Sequence, residues 1–177
     1  MIFLFATELE AQPFRLAAPH ATIVICGVGA AECAATTALI VAQIKESGEP
    51  KIVVLAGIAG SYSLCDVALC EVVEVTEAQI EALPQKFSKI YRNTPSTTLR
   101  QVTLNSVNSS LESTTTPISQ IEDMEGAAFG ALCSRANIEY IHIRAISNLV
   151  GEPFSKWKVE EACEALAETL LEQLCGW

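Results

Sequence analysis

Two segments hold most of the residues that could do chemistry, IEDMEGAAFGALC (Ile121 to Cys133) and YIHIRAISN (Tyr140 to Asn148). In the first, Glu125 stands between Met124 and the small residues Gly126, Ala127 and Ala128, at the first turn of an expected apolar helix. A carboxylate among small apolar residues is costly to desolvate unless something specific binds it. Two vicinal hydroxyls, such as those of a ribose, are one such partner. The plainer alternative is a first-turn glutamate favoured by the helix dipole. In the second segment an apolar strand runs out into the polar pair Ser147-Asn148.

The surrounding elements alternate between strand and helix. Ile2 to Ala6 is a short apolar run that opens into Thr7-Glu8-Leu9-Glu10, and Thr22 to Cys26 is a second run, ended by Gly27-Val28-Gly29. From Ala30 to about Lys45, Ala31, Ala34, Ala35 and Ala38 recur at helical spacing, and Gly48 with Pro50 closes the helix. Lys51 to Ala56 reads as a third strand, ending at Gly57-Ile58-Ala59-Gly60, and Val67 to Val75 as a fourth. Thr76 to Thr116, rich in Ser, Thr and Asn, is expected to hold one strand, Gln101 to Val107, and otherwise loops. A helix near Asp123, a strand from Glu139 to Ile146 and a last helix from Lys158 to Leu174 follow. That helix carries Val159, Ala162, Leu166, Leu170 and Leu174 on one stripe.

Strands too apolar to face water, alternating with helices, imply an α/β fold: a three-layer αβα sandwich around a mixed, mostly parallel sheet. The 177 residues read as a single domain, 1–177, without repeat or linker. Ligands of such folds gather beyond the carboxyl ends of strands. Glu8 and Glu10, Gly27 to Gly29, Gly57 to Gly60 and Ser147-Asn148 all fall there. That convergence is the physical argument for a site.

Composition excludes several classes. With 11 basic and 21 acidic residues the net charge is −10, and no Lys/Arg cluster occurs, which argues against nucleic acid and anionic membrane as partners. The opening MIFLFATELEAQPF lacks the basic flank of a signal sequence, and no apolar stretch approaches a membrane span, so a cytoplasmic protein is expected. Seven cysteines without CxxC spacing suit reduced core thiols. His20 and His142 are the only histidines, so no metal-ligand cluster is expected, and nothing fixes a Cys-His nucleophile pair. GVGAAE follows a strand and opens a helix, but Glu32 replaces the third glycine of a dinucleotide fingerprint. The next strand ends in Ala56-Gly57, without an acid for a ribose hydroxyl. A tight turn is the better reading, and no cofactor is expected.

Taken in order, ATELEA, GVGAAECAATTALI with VVLAGIAGS, DMEGAAF and IRAISN resemble the nucleoside phosphorylase and nucleosidase superfamily nearly end to end. The resemblance is closest to the branch with methylthioadenosine/S-adenosylhomocysteine nucleosidase and futalosine hydrolase. Between Gly60 and Met124 the chain is shorter than is usual there. The resemblance implies that Glu125 accepts hydrogen bonds from the ribose 2′- and 3′-hydroxyls while Met124 lines the ribose face. It implies that Gly57, Ile58 and Ser147 contribute to substrate binding. Glu10 matches the carboxylate that positions and deprotonates the attacking water. Its alternative, a solvated residue opening a helix, fits Glu8 better. Arg144 matches an arginine reaching toward that carboxylate, and alternation puts it on one face with Tyr140 and His142. An inward arginine needs a carboxylate partner, for which Glu10 is the candidate. His142 reads as structural.

Asn148 stands where adenine-specific nucleosidases carry Asp. An amide can donate to a 6-oxo group or N7, which suits hypoxanthine or guanine. SN after the arginine strand, Leu149 to Pro153 and Trp157 before the last helix resemble futalosine hydrolases. The acidic first loop would repel phosphate, so water is the expected nucleophile. The expected reaction is hydrolysis of a 6-oxopurine nucleoside, most of all futalosine in menaquinone biosynthesis, with the nucleoside and water as partners. Alternatives are a methylthioadenosine/S-adenosylhomocysteine nucleosidase or purine nucleoside phosphorylase, a nucleoside-binding homologue without turnover, and, disfavoured by Glu32, a dinucleotide-dependent oxidoreductase. A homodimer or larger homo-oligomer is expected, since a neighbouring subunit commonly closes the pocket in this superfamily.

Overall fold

In the computed structural model, which describes residues 1–63, 65–109 and 118–176, the apolar runs near the N-terminus become neighbouring parallel strands. β1 (Ile2–Phe5) lies between β2 (Thr22–Ile25) and β3 (Val53–Ser61), and β3 pairs in parallel with β8 (Tyr140–Leu149). β8 then pairs antiparallel with β4 (Val72–Gln79), and β4 pairs in parallel with β6 (Arg100–Ser106). β6 pairs in parallel with β7 (Ile121–Asp123), which returns antiparallel to the end of β3 at Gly60 and Ser61. The pairing therefore runs round β3, β8, β4, β6 and β7 and back to β3, with β5 (Tyr91–Arg92) added antiparallel to β4. The α/β class and the mixed sheet are as expected.

Side-chain alternation sends the two faces of the parallel strands to different cores. Phe3, Phe5, Val54, Ala56, Ile141 and Ile143 pack against Phe14 of α1 (Glu8–Ala17) and against Ala162, Leu166 and Leu170 of α4 (Val159–Leu170). Leu4, Val53 and Leu55 pack instead on Cys33, Ile40 and Ile44 of α2 (Ala30–Ser47) and on Phe129 and Cys133 of α3 (Gly126–Ala136). Val73, Val75, Val102, Leu104, Ile121 and Ile146 form a third core on the ring strands. Each fully buried Phe or Leu contributes about 1.5–3 kcal/mol through the apolar area it removes from water. These three cores hold the strand ends in fixed positions.

Several boundaries differ from expectation for local reasons. β3 runs through Gly57-Ile58-Ala59-Gly60 to Ser61, because β8 on one side and β7 at its end supply partners for that backbone. β8 likewise continues through Ser147-Asn148 to Leu149. β4 starts at Val72, not Val67: Cys70 has a positive φ of 62° in a turn that closes from the Glu71 N–H to the Ala68 carbonyl, which breaks extended backbone. The strands Tyr91–Arg92 and Ile121–Asp123 were not expected, being too short to show a period. Residues 110–116 of the expected loop region lie outside the described residues. The last helix passes at Leu171 into a π turn ending at Cys175. All seven cysteines are free, and no described helix is long and apolar enough to cross a membrane.

Candidate active site

A cavity of about 350 Å³ opens beyond the carboxyl ends of β1, β3 and β8 and beside the start of α3. Its wall brings together Glu10, Ile58, Met124, Glu125, Ser147 and Asn148, residues spread over most of the chain. Apolar side chains, among them Val28, Val107, Phe154 and Trp157, complete it. Its charged wall residues are all acidic, namely Glu10, Glu122, Asp123 and Glu125, with no Lys or Arg among the described lining residues.

Glu125 is the N-cap residue of α3 and is 5 % exposed. Its Oε1 accepts from the Gly29 N–H at 2.8 Å, and its Oε2 accepts from Arg144 Nη2 at 3.2 Å. The first bond explains the glycine turn after β2. Gly29 sits at φ +90°, a conformation that L side chains rarely adopt, and there its N–H reaches the carboxylate. Burial pushes the Glu125 carboxyl up from its ordinary range, while Arg144 and the Gly29 N–H pull the other way. A carboxylate so placed gains from any further donor.

Arg144 is fully buried, and its main partner is Asp123, not Glu10 as the sequence suggested. Nε donates to Asp123 Oδ2 at 3.0 Å and Nη2 donates to the same oxygen. Asp123 also takes Ser106 Oγ at 2.8 Å and the Gly126 N–H at 3.0 Å, which ties β6, β7 and the first turn of α3 together. Burial alone would raise the Asp123 carboxyl, but Arg144 and His142 outweigh it and hold it well below the usual carboxylate range. Arg144 in turn is held fully charged: the surrounding Asp123, Glu125 and Glu10 outweigh the burial that would lower it. Its Nη1 has no hydrogen-bond partner among the described residues. Arg144 sits behind the wall and does not line it. Gly57 is also behind: a Cβ there would overlap Arg144 Nη1 and come 2.8 Å from Glu10 Oε1. It does not line the cavity, and its lack of a Cβ leaves room for those two groups.

His142 Nε2 lies 3.4 Å from Asp123 Oδ2 without completing a hydrogen bond. Burial pushes the imidazole down to about 4 against the pull of Asp123, so it is neutral at pH 7, and its ring packs edge-on to Phe129.

Glu10 is 6 % exposed and closes a capping box with Thr7, whose N–H and Oγ1 each donate to Glu10 Oε2 at 2.9 Å. Its Oε1 accepts from the Ile58 N–H at 3.0 Å. Glu8 is the solvated one, exposed and paired with Arg15. Asn148 is 4 % exposed. Its Nδ2 donates to the Leu149 carbonyl at 3.0 Å, and its Oδ1 accepts from Ser147 Oγ at 2.8 Å. A carbonyl only accepts, so this partner fixes which way the amide faces.

Asp123 and Glu122 were not expected as site residues, although both lie in the segment Ile121 to Cys133. Their signal was an acidic pair placed between an isoleucine and the helix start, where a three-residue strand could not be recognised.

Residues 89–175 match the family model of the phosphorylase superfamily. The superfamily resemblance is borne out. Among solved structures, 5′-methylthioadenosine nucleosidase from Arabidopsis thaliana is similar at a TM-score of 0.81 and 18 % identity, over 97 % of this chain and 92 % of that one. Futalosine hydrolase from Helicobacter pylori, as a mutant, is similar at a TM-score of 0.79 and 15 % identity, over 95 % of each chain. The 5′-methylthioadenosine/S-adenosylhomocysteine nucleosidase from Helicobacter pylori, with butyl-thio-DADMe-Immucillin-A, is similar at 0.82 and 14 %, over 99 % of this chain and 97 % of that one. A comparison with curated proteins found no match. At these identities the fold is what is shared.

Proposed function

We propose that this chain is an N-glycosyl hydrolase that cleaves a 6-oxopurine nucleoside, with futalosine, an intermediate of menaquinone biosynthesis, as first-choice substrate. The observation that carries the reading is Glu125, a buried carboxylate on the cavity wall held by a distant backbone N–H and a buried guanidinium. In this reading it accepts from the ribose 2′- and 3′-hydroxyls. Its charge favours the positive character that develops on the sugar as the bond to the purine breaks. Met124 lines the ribose face, and Arg144, anchored by Asp123, positions Glu125 directly. Glu10 orients water beside Ile58 and takes its proton as the oxygen bonds to C1′. The electrons of the broken bond leave with the purine, to which Asn148, held by Ser147, donates from Nδ2.

Water is favoured over phosphate by the wall itself, since an anion would face four carboxylates and no cationic lining residue. A methylthioadenosine or S-adenosylhomocysteine substrate is the second reading, favoured by the two nucleosidases similar in fold. The amide at Asn148 weighs against it, being suited to a 6-oxo group. Asn148→Asp is then expected to shift preference toward 6-aminopurine nucleosides, read as the ratio of inosine to adenosine cleavage. We also read the protein as a cytoplasmic homodimer or larger assembly. Leu9, Val28 and Phe154 at the cavity are each more than half exposed, an apolar rim that a second copy would cover. Light scattering at micromolar concentration checks this, and a monomer contradicts it.

The test of the function is chromatography of inosine-type and adenosine-type nucleosides incubated with the protein, with and without phosphate. Free hypoxanthine at a rate indifferent to phosphate is expected. Release that requires phosphate makes the chain a phosphorylase, and tight binding without release makes it a nucleoside-binding homologue.

A further inference from the structure

The two oxygens of Glu10 are not equivalent. A carboxylate offers about four acceptor positions, two on each oxygen. On Oε2 both are taken, by the Thr7 N–H and the Thr7 hydroxyl, each at 2.9 Å. On Oε1 the Ile58 N–H takes one at 3.0 Å, and among the described residues no donor fills the other. Thr7 lines the cavity beside Glu10, two residues past the end of β1.

The direction of the Thr7 hydroxyl is fixed as well. It accepts from the Glu10 N–H at 3.3 Å, so its single proton is free for Oε2. The backbone of Thr7 is extended, with φ −134° and ψ 159°, and its carbonyl accepts from the Ala11 N–H at 3.2 Å as α1 begins. Ile58 stands on β3, the strand paired with β1. Glu10 is therefore clamped between the segments that follow the paired stretches of two neighbouring strands. That clamp removes the rotamer freedom a glutamate ordinarily keeps.

We propose that Thr7 is a positioning residue of the hydrolysis: it fills Oε2 of Glu10 and so leaves Oε1, beside the Ile58 N–H, as the oxygen that takes a proton from the attacking water. The inference rests on the hydrolase reading and not on the identity of the purine. One O–H proton of the water passes to Oε1, the water oxygen bonds to C1′, and the electron pair of the broken bond leaves with the purine. Without the Thr7 hydroxyl, Oε2 regains a free acceptor position and water can be held in a second place. A misplacement of about 1 Å in such a group costs roughly 100-fold in rate.

The experiment is steady-state kinetics of the full chain with inosine, 5′-methylthioadenosine and futalosine, read as release of the free base. Wild type is compared with Thr7→Ala, Thr7→Ser, Glu10→Gln and the double variant Thr7→Ala/Glu10→Gln. On the nucleoside that wild type cleaves fastest, Thr7→Ala is expected to lower kcat by about tenfold or more with KM within about twofold, the pattern of an interaction used in the transition state. Thr7→Ser keeps the hydroxyl and is expected to bring kcat back to within about threefold of wild type. In the double variant the base is already gone, so losing the hydroxyl should change kcat by less than about twofold relative to Glu10→Gln alone. A helix cap with no part in catalysis would not produce that non-additivity. If Thr7→Ala does not fold, Thr7→Gly carries the same expectation, since glycine at an N-cap costs little. An unchanged kcat, a loss carried by KM, a loss that Ser does not recover, or losses that multiply in the double variant each overturn the role of Thr7 and leave the hydrolase reading standing. Release of base from none of the three nucleosides by wild type removes that reading and this proposal with it.

Discussion

The helices α1 and α3 both begin at a buried carboxylate on the same cavity wall, yet the two acids are secured by different parts of the chain. Glu10 is held mostly from within its own first turn, where Thr7 supplies two donors, with a single distant contact from the Ile58 N–H. Glu125 has no local cap bond and depends on Gly29, 96 residues away, and on Arg144, 19 residues away. Behind it, Asp123 takes most of the charge of Arg144. Both acids therefore compete for one guanidinium, Asp123 is the better satisfied, and burial raises Glu125. A locally capped acid keeps its place whatever the distant chain does. An acid built from long-range contacts exists only in the completed fold, and it has more to gain from a ligand.

Removing Asp123 tests the long-range cluster most severely. Asp123→Ala leaves a fully buried guanidinium short of its main partner, and breaking such a pair costs about 3–5 kcal/mol. A urea unfolding midpoint measures it. A loss near zero would mean that Glu125 alone satisfies Arg144.

Acid should weaken the same region through His142. Its ordinary value is near 6.5, and the fold holds it near 4, so the folded state favours the neutral ring. That stability is fully present above about pH 6.5 and is lost as pH falls toward 4, by roughly 3 kcal/mol at about 1.4 kcal/mol per unit. Unfolding free energies at pH 7 and pH 4.5 should differ less in His142→Gln than in wild type. Identical pH slopes would remove His142 as the cause.

The local cap is worth less. Thr7→Ala takes the hydroxyl from the capping box and should cost about 0.5–2 kcal/mol, read as a shift in the thermal midpoint. A loss as large as that of Asp123→Ala would erase the contrast between the two helix starts.

This contrast also explains what could be read from the sequence. Helix α2 was legible because its alanines recur at helical spacing and Gly48 ends it in the left-handed conformation. The convergence of Glu10 and Asn148 was legible because each follows or ends an apolar run, and parallel strands deliver those ends to one side. The partner of Arg144 was not. Glu10 and Asp123 were equally available carboxylates in the sequence, and only the register of β7 and β8 around β3 decides between them. Gly57 was placed in the pocket for the same reason: its position after an apolar run says nothing about which side of the backbone the substrate occupies. Glu122 escaped notice because a three-residue strand shows no alternation, so its face could not be assigned.

The central claim is that Glu125 grips the sugar and stabilises the charge that develops on it. Its most direct test is kcat/KM for nucleoside hydrolysis by Glu125→Gln, measured beside the unfolding midpoint of the same variant. A neutral amide in place of the carboxylate should remove about 2–4 kcal/mol of transition-state stabilisation, roughly 30- to 1,000-fold in rate, while the fold is retained. Turnover close to wild type would make Glu125 a helix-start residue and nothing more.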